Sequence, residues 1–412
     1  MESNLVDYKK LFKFLPSIVL KSLINLDIEE KKIINDNDDN FNLSVFPLKK
    51  TFENTIILKI KIHGLISLSL LLNSNKNEKE KINCEFLSNI ITNILKKIEN
   101  IINEKGGEII NFSDNEITII FDFSEANEKL EKYTFYYSQL VLLSIIEIYQ
   151  KINLEVLKGI KLDLSFGVSI GQFSIIFLGG INKKINFLFF GEAIEKANEC
   201  INFSNENEII ISKNYNEILT KLNLIHSFCL YSKGNKNLFQ IDEFEEEEEL
   251  NNFSSYQHLK KLNLFNLNQE NIENLASKIK IISSLFPNNI IEYINLNYEN
   301  LLSEIYPITI MTMTLILNDN NDEKKLQLII ITIQKIILTS GKIFLINKIK
   351  EGLLIKILFG LNFCSLNDTS NAISSSFLII NSLKKYNIKI AIGISSGDNY
   401  IGLINKNNYN RI

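Results

Sequence analysis

The chain has 412 residues, 45% of them apolar and 22% charged, which is enough for two or three globular domains that each bury a core. A net charge of −4 and a pI near 5.7 give no general electrostatic pull toward nucleic acid or anionic lipid, so no nucleic-acid partner is expected. The longest apolar runs, such as residues 140–146, are too short to span a bilayer, and with no secretory leader a reducing cytoplasm is the expected compartment.

Cys84, Cys200, Cys229 and Cys364 lie far apart in apolar surroundings. No pair has the spacing of zinc ligands or of a redox motif, so buried thiols are expected. His63, His226 and His258 are equally scattered and form no metal or triad pattern.

Residues 1–50 read as an entry segment, with a helical pattern over 8–25 interrupted at Pro16 and a polar loop at 35–42. Residues 51–240 read as a first domain. The alternation over 54–62 predicts a strand with Lys59 and Lys61 on one face and Ile60 and Ile62 on the other. A Lys/Asn/Glu-rich loop at 73–81 and an amphipathic helix at 86–102 follow. The run GGEIINFSDNEITIIF at 106–121 holds two apolar strands, 108–112 and 116–121, around the turn Ser113–Asp114–Asn115, and so predicts a tight hairpin. Then come a helix at 128–152 and strands at 160–170 and 172–178 divided by Gly171. After a strand at 185–190, a helix at 192–201 leads to a final strand at 208–211. Strand, helix, hairpin, helix, strand is the ferredoxin-like order.

Residues 241–304 read as a linker: an acidic run, DEFEEEEE at 242–249, then a helical stretch over 259–299 broken near Pro287. Residues 305–412 repeat the first pattern, with a strand at 307–317, a helix at 326–338, a hairpin at 341–359, a helix at 372–385 and a strand at 388–395. The repeat extends to residues. GEII at 107–110 recurs as GKIF at 341–344, and LDLSFGVSIGQ at 162–172 recurs as IKIAIGISSGD at 388–398. Gly167 and Gly171 thereby match Gly393 and Gly397.

The order of FLPSIVL, the hairpin motif, FGVSIGQ, FLFFGEAIEKANEC and YPITIMTMTLIL resembles the class III nucleotide cyclases, most of all the tandem cyclase-homology region of soluble adenylyl cyclase. The resemblance implies an α+β fold of two ferredoxin-like (βαββαβ) cyclase-homology domains, pseudo-symmetrically paired, the second incomplete. It also implies ATP or GTP as ligand at the interface, Mg2+ or Mn2+ if the chain is active, and a cyclase-domain partner or dimer.

Family chemistry attacks the α-phosphorus with the ribose 3′-hydroxyl, aided by two divalent ions on two aspartates. The resemblance places the first aspartate at Lys61 and the phosphate-approaching backbone at Ile62, His63, Gly64 and Leu65, with Ile66 in a threonine position. It places the second at Asn115, one residue beyond Asp114. A one-residue displacement normally reverses a strand side chain, but a turn tip can relax, which leaves Asp114 as the candidate metal ligand. Asn111, Asn198 and Leu345 stand where the family carries a lysine, an arginine and a base-reading lysine. The ribose-orienting asparagine and the transition-state arginine would lie past residue 412, and Arg411 precedes their place. The expectation is a catalytically degenerate cyclase-homology protein of cyclic-nucleotide signalling, with a regulatory or dimerising role. The alternatives are an active cyclase completed by another subunit, and an unrelated ferredoxin-like binding module.

Overall fold

The computed structural model describes residues 11–12, 15–24, 41–43, 45–73, 80–113, 115–124, 130–152, 160–221, 228–232, 238–244, 279–286, 291, 304–317, 322–350, 352–361 and 364–401. Helix α1 (Ser17–Ile24) starts on the carbonyl of Pro16, and its free N–H groups meet a carboxylate. Glu108 accepts from Ser17 N at 2.5 Å, Ser17 Oγ at 2.6 Å and Ile18 N at 3.2 Å.

The first unit follows. Strand β1 (Leu48–His63) leads through α2 (Leu65–Asn73) and α3 (Glu80–Glu104) to the hairpin β2 (Glu108–Ser113) and β3 (Glu116–Asp122). Helix α4 (Leu130–Lys151), β4 (Asp163–Gly179), β5 (Ile185–Phe190), α5 (Glu192–Phe203), β6 (Ile209–Ser212), α6 (Lys213–Lys221), β7 (Phe228–Ser232) and β8 (Leu238–Phe244) complete it. Its strands order as β2-β3-β1-β4-β6-β8-β7, with β5 paired to β4 alone. Period-two alternation puts Ile56, Leu58, Ile60 and Ile62 into a core with Ile98 and Ile102 of α3 and Val141 and Ile145 of α4. The opposite face carries Lys59 and Lys61 and receives α5, α1 and α7 (Ile279–Ser284).

The second unit is β9 (Glu304–Ile316), α8 (Glu323–Ile337), β10 (Gly341–Ile349), β11 (Gly352–Phe359), α9 (Asp368–Leu383) and β12 (Lys389–Ile401), with sheet order β10-β11-β9-β12. The repeated glycine has one cause in both units. A Cβ on Gly107 would sit 2.6 Å from the Phe121 ring, and one on Gly341 would sit 2.8 Å from the Phe359 ring.

The units share a core. Ile176 and Leu178 of β4 and Leu188 and Phe190 of β5 pack with Met311, Met313, Leu315, Ile330 and Ile333 of the second unit. Two glutamines of α8 satisfy the buried turn between β4 and β5. Gln327 Nε2 donates to the Gly179 carbonyl and its Oε1 accepts from Gly179 N, both at 2.8 Å. Gln334 Oε1 accepts from Ile181 N at 3.2 Å, and its Nε2 donates to the Lys184 carbonyl at 3.0 Å and to Asn186 Oδ1 at 3.1 Å. An unrelated binding module predicts no pseudo-symmetric packing of residues 54–225 against 305–412; the two units do pack together through this shared core.

Several expectations change. The strands expected on either side of Gly171 are one strand, β4, because β1 follows it through both segments and absorbs the irregularity in its own register shift between Phe52 and Thr55. Residues 65–73 form a helix where none was expected. Strand β6 is not final, since α6, β7 and β8 follow. The acidic run at 242–249 begins inside β8, and its residues 245–249 lie outside the described set, as does most of 259–299. Cys200 is buried as expected, but Cys364 is exposed.

Candidate functional site

Strand β1 ends beside the tip of the β2–β3 hairpin, so residues 61–62 and 115–116 meet. Lys61 pairs across the sheet with Glu116 on β3 and Ser165 on β4. Glu116 itself is joined to Lys59 at 2.9 Å. The hairpin tip grips β1 through a single residue. Asn115 O accepts from Ile62 N at 2.8 Å, and Asn115 Nδ2 donates to the Ile62 carbonyl at 3.0 Å. Both backbone polar groups of Ile62 are thus engaged by the residue at the second metal position. Asp114 lies outside the described residues.

His63 Nε2 lies 2.9 Å from Ser165 Oγ. Ser204 Oγ stands 2.9 Å from the same hydroxyl and 2.8 Å from the Ile201 carbonyl. Burial, then the nearby Lys61 ammonium, hold the His63 imidazole below its ordinary pKa and so favour its neutral form. Gly64 turns the chain into α2 at φ +78, and a Cβ there would lie 2.4 Å from the Lys161 carbonyl. Leu65 is buried beneath the start of α2, while Ile66 is exposed.

The described residues at this tip offer a divalent cation no carboxylate at either family position. Lys61 carries a positive charge, and Asn115 offers an amide whose N–H donates to the Ile62 carbonyl. Among the described residues, no three His, Cys, Asp or Glu side chains gather to hold a metal ion.

The second unit supplies one buried cation that the sequence did not single out. Lys348 of β10 is almost wholly buried and lies 3.9 Å from Glu195 of α5; burial lowers its pKa and Glu195 opposes that shift. Leu345, the base-reading position, lies opposite Lys356 on β11 just past a bulge in β10. The Asn198 side chain has a buried Oδ1 with no hydrogen-bond partner. Asn111 adjoins a bulge in β2 and faces Thr118. Farther along the seam, burial and the neighbouring Lys342 lower Lys184 to about 8, while its Nζ donates to the Phe286 carbonyl at 3.0 Å. Arg411 lies outside the described residues. One more lysine in an Asn/Lys-rich chain gives no signal for Lys348; only its burial between the units marks it.

No protein-family model matches the sequence, and no curated protein matches it. Solved structures do match. A class III adenylyl cyclase-like ATP-binding protein from Pseudomonas aeruginosa aligns over 96% of this chain and 86% of its own, at 11% identity and a TM-score of 0.50. The adenylyl cyclase CyaB from P. aeruginosa covers 48% of this chain and 98% of its own, at 15% identity and a TM-score of 0.35. The guanylate cyclase domain of RhGC from Catenaria anguillulae, solved with GTP, covers 48% and 100%, at 11% identity and a TM-score of 0.36. Among the described residues no helix is long and apolar enough to cross a membrane.

Proposed function

On the premise that this chain has the fold of the class III adenylyl and guanylyl cyclase domains, we propose that it is a non-catalytic cyclase-homology protein. It keeps two packed units and carries a regulatory or dimerising role in cyclic-nucleotide signalling. The observation that carries this reading is the pair Lys61 and Asn115. An ammonium repels a divalent ion, and the amide clasp occupies the backbone oxygen of Ile62 beside it. Metal and electrostatic stabilisation of an in-line displacement is worth several kcal/mol per lost group, which amounts to about 10²-fold or more for each.

The test is direct. Purified chain given ATP or GTP with manganese is expected to yield no cyclic nucleotide above a protein-free control. Turnover that disappears in Asp114→Ala would overturn the reading, because the hairpin tip would then be supplying a working metal ligand.

A further inference from the structure

A line of polar groups runs from the end of β1 into the interior of the first unit. His63 Nε2 lies 2.9 Å from Ser165 Oγ on β4, and Ser165 Oγ lies 2.9 Å from Ser204 Oγ at the end of α5. Ser204 Oγ in turn lies 2.8 Å from the Ile201 carbonyl. Ser165, Ser204 and Ile201 are 0%, 7% and 1% exposed, so each contact has to draw its proton from the line itself.

The Ile201 carbonyl sets the direction of the line. In a continuing helix it would accept from the N–H of residue 205, but Asn205 N donates to Glu208 Oε2 at 2.8 Å instead. Ser204 N reaches the carbonyl only at 3.4 Å, so the Ser204 hydroxyl is its good donor. A hydroxyl has one proton to give. Ser204 therefore meets Ser165 as an acceptor, and Ser165 spends its proton there. Ser165 then meets His63 as an acceptor, and Nε2 has to carry a hydrogen. In this direction every contact holds one proton. The opposite direction, from Ser204 through Ser165 to His63, leaves the buried carbonyl with the long amide contact alone.

We propose that this relay holds His63 as the Nε2–H tautomer, with Ser165 and Ser204 as positioning residues, and leaves Nδ1 as the proton-accepting atom at the end of β1. The hydrogen bond made by one ring nitrogen decides what the other presents. Among the described residues Nε2 makes the only hydrogen bond of His63, and the ring is partly exposed. The charged groups that act on it are Lys61 on β1, Asp163 on β4 and Glu206 past α5. Asp163 is itself engaged by Lys161 at 2.8 Å and by Asn207 at 3.3 Å. Burial and Lys61 favour the neutral ring, so Nδ1 offers a lone pair. A group that binds there has to donate a hydrogen, as a hydroxyl or an amine does, whereas a phosphate or carboxylate oxygen meets no proton.

Long-range proton–nitrogen NMR of the imidazoles in the full chain reads the tautomer at about pH 8, above the ordinary histidine range. The spectrum of His63→Gln identifies which signals belong to His63. The unaltered protein is expected to show a protonated Nε2 that exchanges slowly with water and an unprotonated Nδ1. Ser204→Ala takes away the acceptor of the Ser165 proton, which then turns to Nε2, so the Nδ1–H form is expected to become the major one. Ser165→Ala removes the buried acceptor of Nε2–H and is expected to speed its exchange about tenfold. Circular dichroism matching the unaltered chain verifies that each variant is folded. An Nδ1–H tautomer in the unaltered chain overturns the proposal, and so does a tautomer that Ser204→Ala leaves unmoved. Should Ser204→Ala not fold, Ser165→Ala decides: faster exchange supports the relay and unchanged exchange overturns it.

Discussion

At residue scale, the hairpin tip and the end of β1 hold each other through a pair of hydrogen bonds. Asn115 has its amide 3.0 Å from the Ile62 carbonyl, and Lys61 lies in register with Glu116, the partner of Lys59. Placing carboxylates at both positions should therefore reverse the local electrostatics. Lys61→Asp with Asn115→Asp is expected to bind Mn2+ measurably by calorimetry or electron paramagnetic resonance, while the unaltered chain shows no saturable binding under the same conditions. His63 gives a second expectation at this scale. Burial and the Lys61 ammonium hold its folded pKa below the ordinary histidine value of about 6.5, so its contribution to stability is present above about 6.5 and is lost as pH falls through the lower folded value. Chemical denaturation from pH 8 to pH 5 should show a decline below the mid-sixes that His63→Gln reduces, and a histidine titration by NMR should place its midpoint below 6.5.

At the scale of elements, the seam depends on two side chains more than on its exposed ion pairs. Lys49 and Glu323 meet at 2.7 Å, but both side chains are about a third exposed, and such a pair is worth little. Gln334 instead serves a buried turn, and its loss takes the partner from Ile181 N and one of two donors from the Lys184 carbonyl, which keeps Gly180 N at 2.8 Å. Gln334→Ala should cost about 1–3 kcal/mol in denaturant unfolding, the cost of leaving one buried polar group, Ile181 N, unmade. Gly179→Ala should be destabilising for a separate reason. It has φ +100, and its Cβ would lie 2.3 Å from the Gln334 amide. The two substitutions together should therefore cost less than their sum.

This is also the scale at which the sequence was most and least informative. Hairpins, the helices α3 to α5 and the second pass of the repeat were legible, because their apolar periods and glycines are local. Helix α2, LISLSLLLN, was missed because a nearly uniform apolar run has no helical face to detect. Lys61 and Asn115 could be located by counting from the motif. Gln327, Gln334 and the Lys348–Glu195 contact could not, because each joins residues some 150 positions apart and depends on how the units dock.

At the scale of the molecule, the packing argues that the second unit is not an independent body. Its core is completed by Ile176, Leu178, Leu188 and Phe190 from the first, and all four are buried. Burying one such side chain contributes about 1.5–3 kcal/mol, so four contribute roughly 6–12 kcal/mol, as much as a whole domain's net stability. The docking is thus part of the fold rather than a contact between finished domains. Phe190→Ala should test this, because Phe190 belongs to the first unit by sequence and to the second by packing. If the units share one core, the substitution should cost about 3–5 kcal/mol and destabilise β9–β12 as much as β4–β5, read by amide exchange in both sheets. A loss of protection confined to the first sheet would mean the second unit holds itself together. Residues 304–401 expressed alone should then fold cooperatively, whereas a shared core predicts that they bind a hydrophobic dye and melt without a sharp transition.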